Sequence, residues 1–491
     1  MGAAFWLLSW TTNATTLTAQ EAVARAARQN PLLQAALHER EAARHGVTAE
    51  RGARLPVAFA AVAGQRNERF NAAREGIVRN EDWLTSGQLG VRYQTPLGSD
   101  VELGVQVDRT ARNTLITPAG TDVVSIGPNY GGQAYLSLRQ PLLRHAGANG
   151  VLGPLRQAVA TQRQAEHETE RMASQLVLDV LTAYWELWYA QRAVEVQAAA
   201  EALAQKQLEQ INQRVEVLGT ASRADALRFA AELATLREAQ VQAQTQLRRR
   251  AIDLAWLLGV PSEAETELFA SSTPPPAATL SSVAELTAQL VAASPELAAM
   301  KAQVEVARLR AQVADNANAP RLDVIASGTM TGVWTQDDLP GLTLPNGRPA
   351  FGAMLGVEFD APLGTSRESG EAARAHAQWQ ATQSRFQALV NTLTADVAAS
   401  HVEVTQSDER VRLATEAETI AAALAQAEWQ RFELGSTTSL DVVLVQQNHR
   451  QSELRRLRAV VDRTVAQLRL EHQLGQLLAR HLPRMQGGTP S

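Results

Sequence analysis

Two carboxylates, Asp225 and Asp441, stand in matching settings 216 residues apart. The first closes the run Arg214-Val215-Glu216-Val217-Leu218-Gly219-Thr220-Ala221-Ser222-Arg223-Ala224-Asp225. The second closes Arg431-Phe432-Glu433-Leu434-Gly435-Ser436-Thr437-Thr438-Ser439-Leu440-Asp441. In both runs Leu-Gly to Asp is spaced identically. Leu-Gly followed by Thr/Ser and a new apolar period is a helix C-cap running into a helix N-cap. The aspartates then fall in a first helical turn, where the helix dipole favours negative charge. Chemistry open to such a carboxylate is electrostatic: it can attract cations or order a cap. The arginines can pair with neighbouring glutamates or stand free as part of a binding rim.

Other candidate chemistry is thin. His38 and His45 lie seven apart, and Glu166-His167-Glu168 turns its side chains to different helix faces, so neither has metal-ligand spacing. The chain has no Gly-rich phosphate loop, no G-x-S-x-G elbow and no H-E-x-x-H. It has no cysteine, which excludes disulfides, thiolate metal sites and a cysteine nucleophile. A net charge of −5 gives no reason to expect nucleic acid as a partner. Tyr184, Trp185, Trp188 and Tyr189 cluster on one helical stretch and read as packing. No enzyme activity, cofactor or metal is expected.

The elements that must position the two tips form an internal repeat. Leu218/Leu434, Gly219/Gly435, Asp225/Asp441 and Gly259/Gly475 share the offset of 216, while Pro31/Pro295, Pro56/Pro320 and Gly64/Gly328 share 264. The offset is 221 at Pro141/Pro362, and the fall from 264 to 221 means 43 extra residues in the first half. A duplication explains these numbers. The chain divides into first-half helices (20–56), strands (57–141) and a long helical hairpin (142–259). A Pro-rich linker (260–280) follows, then second-half helices (281–320), strands (321–362), a second hairpin (363–478) and a tail (479–491). Residues 1–19 carry a short apolar patch, Ala3 to Trp10, without a basic n-region and read as an extension or atypical signal peptide.

The strands alternate with period two. Val101, Leu103, Val105 and Val107 interleave with polar residues or glycine, as do Leu355, Val357 and Phe359. Such strands suit either a half-buried soluble sheet or a barrel wall between lipid and water. Strands are read at 57–66, 88–95, 100–108, 132–141, 321–334 and 351–362, separated by a polar loop at 67–87, a tight turn at Pro96–Ser99, a long Gly/Asn/Thr-rich loop before 132 and a Pro/Gly loop at 335–350. Long loops on one side and a tight turn on the other favour the barrel. No stretch approaches 18 consecutive apolar residues, which argues against a membrane-spanning helix. Heptad-spaced Leu208, Ile211, Val215 and Leu218, and Val390, Leu393, Val397 and Val404, mark helices too long for a globule.

With the tips, the strand-to-helix junctions Gln140-Pro141-Leu142-Leu143-Arg144 and Ala361-Pro362-Leu363-Gly364, and the ending Gln467 to Gly475, the chain resembles the TolC-like outer membrane efflux protein family. The resemblance spans Leu17 to Leu478. It implies a mainly α fold with a β-barrel: duplicated helical hairpins forming a trimeric α-barrel beneath a shared transmembrane β-barrel in the outer membrane. It further implies a homotrimer serving as a passive exit duct for efflux or type I secretion, docked on a periplasmic adaptor that joins it to an inner-membrane transporter. Under this resemblance Arg214, Leu218, Gly219, Thr220, Ser222 and Asp225, with Arg431, Leu434, Gly435, Ser436 and Thr437, form the adaptor-binding rim. Asp441 matches an acidic gate ring at the periplasmic end, although the position three residues on is Leu444. The family usually has two strands per half, and this first half offers four. The extra pair then lies either in an 18-strand wall or outside a 12-strand one. The rival reading from another class is a soluble coiled-coil scaffold.

Overall fold

The computed structural model describes residues 15–73, 76–117, 123–216, 222–260, 268–277, 279–334, 349–362, 364 and 366–482. In chain order the elements are β1 (Thr15–Leu17), α1 (Ala19–Gln29), α2 (Pro31–Gly52), β2 (Val57–Ala73), β3 (Gly76–Gln94), β4 (Asp100–Thr117), β5 (Val123–Pro141), α3 (Gly147–Glu216) and α4 (Arg223–Leu257). The second half follows with β6 (Leu268–Ala270), α5 (Val283–Ala293), α6 (Pro295–Asn318), β7 (Arg321–Trp334), β8 (Ala350–Asp360), α7 (Arg367–Glu433), α8 (Ser439–Gln473) and α9 (Leu477–His481). The chain forms two compact units, one holding residues 1–41, 164–301 and 385–491, the other 42–163 and 302–384.

The second unit is built on one antiparallel sheet of six strands, ordered β2-β3-β4-β5-β7-β8. Four come from the first half of the repeat and two from the second, and the extra pair sits inside the ladder, not beside it. One face is apolar from strand to strand. Val91, Leu103, Leu136, Gly328 and Ala353 occupy one row, and Leu89, Val105, Ala134, Met330 and Phe351 the next. These side chains have no cover among the described residues: Leu103 is 59 % and Leu355 79 % exposed. The opposite face carries Gln88, Gln106, Gln133 and Thr331, and the pairs Arg92–Glu102 (2.8 Å) and Tyr135 Oη to Glu102 (3.0 Å). On it Phe59, Gly90, Gly104, Tyr135, Thr329 and Gly352 share one row. A Cβ on Gly90 would lie 2.6 Å from the Phe59 ring, and one on Gly104 2.6 Å from Tyr135. Glycine lets those rings lie along the sheet.

The strands outrun their sequence-based limits. The polar loop read at 67–87 is mostly strand: Asn67 to Ala73 pair with Asp82 to Gly76 in register. Likewise β4 continues to Thr117 and β5 begins at Val123, so most of the Gly/Asn/Thr-rich loop is ladder. The polar residues that suggested loop satisfy each other across strands. Arg66 pairs with Glu81, Arg79 with Glu68, Arg112 with Asp82 at 2.5 Å, and Thr114 donates to Asn80 at 2.9 Å. Of the 335–350 loop, residues 335–348 lie outside the described residues. The turn at Pro96–Ser99 is closed by Thr95 N to Ser99 O (2.8 Å) and Gly98 N to Thr95 O (2.9 Å), with Gly98 at φ +95°.

In the first unit, long antiparallel helices pack through several apolar clusters. The largest gathers Val177, Val180, Leu181, Tyr184, Leu187, Leu254, Leu258, Val461 and Leu468. Tyr184 is fully buried, and its hydroxyl donates to Leu17 O (2.9 Å) and accepts from Ser272 N (2.8 Å). That bond secures the parallel pair β1–β6 against α3. A second cluster joins Leu286 and Leu290 to Leu393, Val397 and Leu470. Among the described residues no helix is long and apolar enough to cross a membrane.

The duplicated glycines share one construction. Val260 N bonds Ala255 O and Gly259 N bonds Trp256 O; Gln476 N bonds Glu471 O and Gly475 N bonds His472 O. Both are Schellman ends, which require a left-handed residue, and the φ values are +75° and +69°. Each glycine also abuts backbone from the matching place in the repeat. A Cβ would lie 2.4 Å from Gln29 O at Gly259 and 2.2 Å from Ala293 O at Gly475. Asn30 completes the first junction: its Nδ2 donates to Leu257 O (2.9 Å), capping α4. Its Oδ1 accepts from Leu32 N (2.9 Å) and Leu33 N (3.2 Å), capping α2. Gly475→Ala must therefore meet a backbone clash beyond the strain of a left-handed residue. Gly435→Ala, where nothing lies within 4 Å, should cost only the strain, about 1–2 kcal/mol. Calorimetric unfolding of the two variants should show the larger loss for Gly475→Ala.

Candidate functional site

The second tip is a short reversal between α7 and α8. Arg431 O accepts from Ser436 N (2.9 Å) and from Ser436 Oγ (2.9 Å), and Phe432 O accepts from Gly435 N (3.0 Å). Gly435 holds φ +73°. Thr438 then caps α8 in a capping box with Asp441: Asp441 N donates to Thr438 Oγ1 (3.3 Å), and Thr438 N donates to Asp441 Oδ2 (3.3 Å). Thr437 Oγ1 lies between the carboxylates of Glu428 and Asp441. Arg431 pairs with Glu428 at 3.1 Å, the pairing with a neighbouring glutamate that its helix position allowed. Leu434 is 84 % exposed at the apex.

At the first tip, Arg214 lies half-buried in the last turn of α3. Leu218, Gly219 and Thr220 lie outside the described residues. Ser222 caps α4 in a capping box with Asp225. The repeat made Asp225 and Asp441 equivalent; the structure separates them. Asp225 also accepts from the hydroxyl of buried Ser439, the first residue of α8, and Arg228 Nη1 donates to Ser439 Oγ at 3.1 Å. A second polar tie lies further along: Glu232 accepts from Gln447 Nε2 (2.6 Å) and Arg450 Nη1 (3.2 Å). Thus α4 of one hairpin is bonded to α8 of the other. Among the described residues Asp441 makes no such link; it is exposed and bonded within its own tip.

Beneath both tips an aromatic cluster fixes where they meet. Phe229 stands edge-on to Trp429 (6.3 Å between centroids) and Phe432 (5.8 Å), over buried Ile211 and Val442. Sequence reasoning passed over Phe229 and Trp429. The available signal was aromatic residues one turn inside each tip in a chain with only 5 % aromatics.

Hydrogen bonds set the charge state of both aspartates. At Asp441, bonds from the side chain and backbone of Thr438 hold the carboxyl below its ordinary range, with Thr437 and Arg431 adding to them. At Asp225 burial pushes the carboxyl up, but Ser222, Ser439 and Arg228 together outweigh it and the net shift is downward. Both groups titrate lower in the folded protein than in the unfolded chain. Their stabilisation is therefore complete above the unfolded value, about 3.9, and is lost as pH falls through the lower folded value. Unfolding followed from pH 6 to pH 2 should show this acid loss, and Asp225→Asn should flatten part of it. Ser439→Ala removes one donor from Asp225 and should cost about 1 kcal/mol.

The six-stranded sheet and the paired helical hairpins give the chain a fold similar to that of solved outer-membrane channels. Residues 286–476 match the family model described as outer membrane efflux protein. Solved structures agree on the fold. The outer-membrane channel OprN aligns over 93 % of this chain and 90 % of its own, with a TM-score of 0.66 and 16 % identity. VceC of Vibrio cholerae aligns over 93 % and 96 %, with 0.66 and 17 %, and the CmeC channel of Campylobacter jejuni over 93 % and 86 %, with 0.67 and 12 %. No curated protein matches at the sequence level. The match over residues 286–476 and the fold shared with the solved outer-membrane channels agree with what the paired tips and junctions led one to expect.

Proposed function

We propose that the chain is the protomer of a homotrimeric exit duct, set in the outer membrane and extending into the periplasm. It passively conducts small molecules or proteins delivered by an inner-membrane transporter. The observation that carries this reading is the continuous six-strand ladder with one exposed apolar face and two open edges, β2 and β8. A soluble scaffold would leave that face in water, where large apolar patches are rare. Lipid covers the face, and the edges are covered by neighbouring copies, since open sheet edges do not occur in hydrocarbon.

Spacing supports the placement. Trp83 and Tyr93 lie on the lipid-facing side of β3, ten residues apart, which matches a membrane strand of about 9–11 residues. Tyr and Trp gather at such interfaces. Beyond Trp83 the same face turns to the pairs Arg66–Glu81 and Glu68–Arg79, suited to water. Three copies supply 18 strands, about 113 Å around at 4.8 Å spacing and about 40° tilt. That agrees with about 120 Å for a ring of twelve helices about 10 Å apart.

In this reading the tips form the docking rim for a periplasmic adaptor. Arg214, Ser222, Asp225, Arg431, Leu434, Gly435, Ser436 and Thr437 are its described members, and Leu218, Gly219 and Thr220 complete it. Asp441 is the gate residue: among the described residues it makes no inter-hairpin bond, and three copies near an axis would select cations. Asp225 ties the hairpins together instead. Single-channel recording in planar bilayers should show Asp441→Ala losing cation preference while still inserting; an unchanged preference counts against the gate. Leu434→Asp should lower export in cells and leave trimer assembly intact. Recovery of the protein as an aqueous monomer on fractionation would return the scaffold reading.

A further inference from the structure

Above the tips, between hairpin α3–α4 and hairpin α7–α8, the first unit holds a cavity of about 370 Å³. That volume is within the usual range for small-molecule sites. The sequence makes the space. Ala199, Ala200, Ala204, Ala422 and Ala425 line it, where larger residues would close a helical seam. Leu236 and Trp429 give the wall its remaining apolar area.

The polar lining is unbalanced. Glu232 is answered by Arg450 and Gln447, as described above. Glu453, half-buried on α8, has no ion-pair partner among the described residues. Gln207 on α3 is only 2 % exposed, and among the described residues its Oε1 accepts no hydrogen bond. Buried polar atoms are nearly always partnered, so such an exception points to a missing group. Both unsatisfied groups are acceptors, and the lining's carboxylates, Glu232 and Glu453, outnumber its one guanidinium, Arg450. The missing partner is a donor, and a cation fits best.

We propose that this cavity binds a monocationic amphiphilic small molecule, an amine on a flat apolar body. The body lies against the alanines and Trp429, and the donors meet Gln207 and Glu453. Because Gln207 belongs to the first hairpin and Glu453 to the second, the bound molecule joins the two. Binding depends on the cavity alone and not on the direction or substrate of transport.

The test uses the purified full-length protein in lipid nanodiscs, with 9-aminoacridine as probe and fluorescence anisotropy as readout, against empty nanodiscs. Saturable binding above the empty-disc signal is expected, with affinity weakened about tenfold by Glu453→Gln, as loss of a charge-assisted bond implies. Ala425→Leu should abolish binding by filling the space, and Ala200→Val, on the opposite wall, should weaken it. Thermal unfolding verifies that each variant is folded. Neutral acridine should bind more weakly than the cation. The proposal is overturned by an anisotropy no greater than that of empty discs. Equal affinity of wild type and Glu453→Gln, or of folded cavity-filling variants and wild type, overturns it as well.

Discussion

A wall that faces hydrocarbon must satisfy its backbone hydrogen bonds from strand to strand, because lipid offers no partner. In the proposed duct the ladder from β2 to β8 meets that demand across both halves of the duplication, with β5 of the first half paired to β7 of the second. The other features of the sheet follow from this one. Apolar side chains gather on the face that none of the described residues covers, and glycines on the other face give Phe59 and Tyr135 room to lie along it. Among the described residues the outer edges of β2 and β8 lack a partner strand, and in the proposed duct neighbouring copies supply it.

The helical hairpins face the complementary constraint. Helices of 67 and 70 residues reverse at the tips, where the last carbonyls and first amides have no intrahelical partner. At the second tip a Schellman turn and a capping box resolve this within about ten residues. The same solution recurs at Gly259 and Gly475, where the helix end also meets backbone from the matching segment of the repeat. Asn30 caps two helices at once, so that α4 ends where α2 begins. Duplication reproduced the glycines because each is needed for the same left-handed turn.

The two tips nevertheless differ in their bonds. Asp225 is held by Ser439 of the opposite hairpin, a bond with no counterpart at Asp441 among the described residues. In the proposed trimer this leaves one carboxylate per protomer to fasten hairpins and one to face the passage. The ties Asp225–Ser439 and Glu232–Gln447/Arg450 bracket the Phe229–Trp429–Phe432 cluster, so the hairpins are held by polar and aromatic contacts together. The cavity lies beside these ties, where alanine replaces the bulk that would otherwise lock the seam.

Much of this was legible in the residues because it rests on local chemistry. Leu-Gly-Ser/Thr-Asp dictates a cap whatever surrounds it, strict alternation dictates a two-faced strand, and shared offsets register the repeat. Val101 to Val107 implied an apolar face but left open whether it is covered. Tertiary structure decided what depends on partners remote in sequence. Polar runs such as 67–87 look like loop until Arg66 finds Glu81 and Thr114 finds Asn80. Asp225 and Asp441 look equivalent until Ser439 reaches one of them, and an alanine run becomes a cavity only when a second alanine run faces it. Local sequence determines what a segment can adopt. The neighbour that satisfies its hydrogen bonds or fills its space is set by the fold.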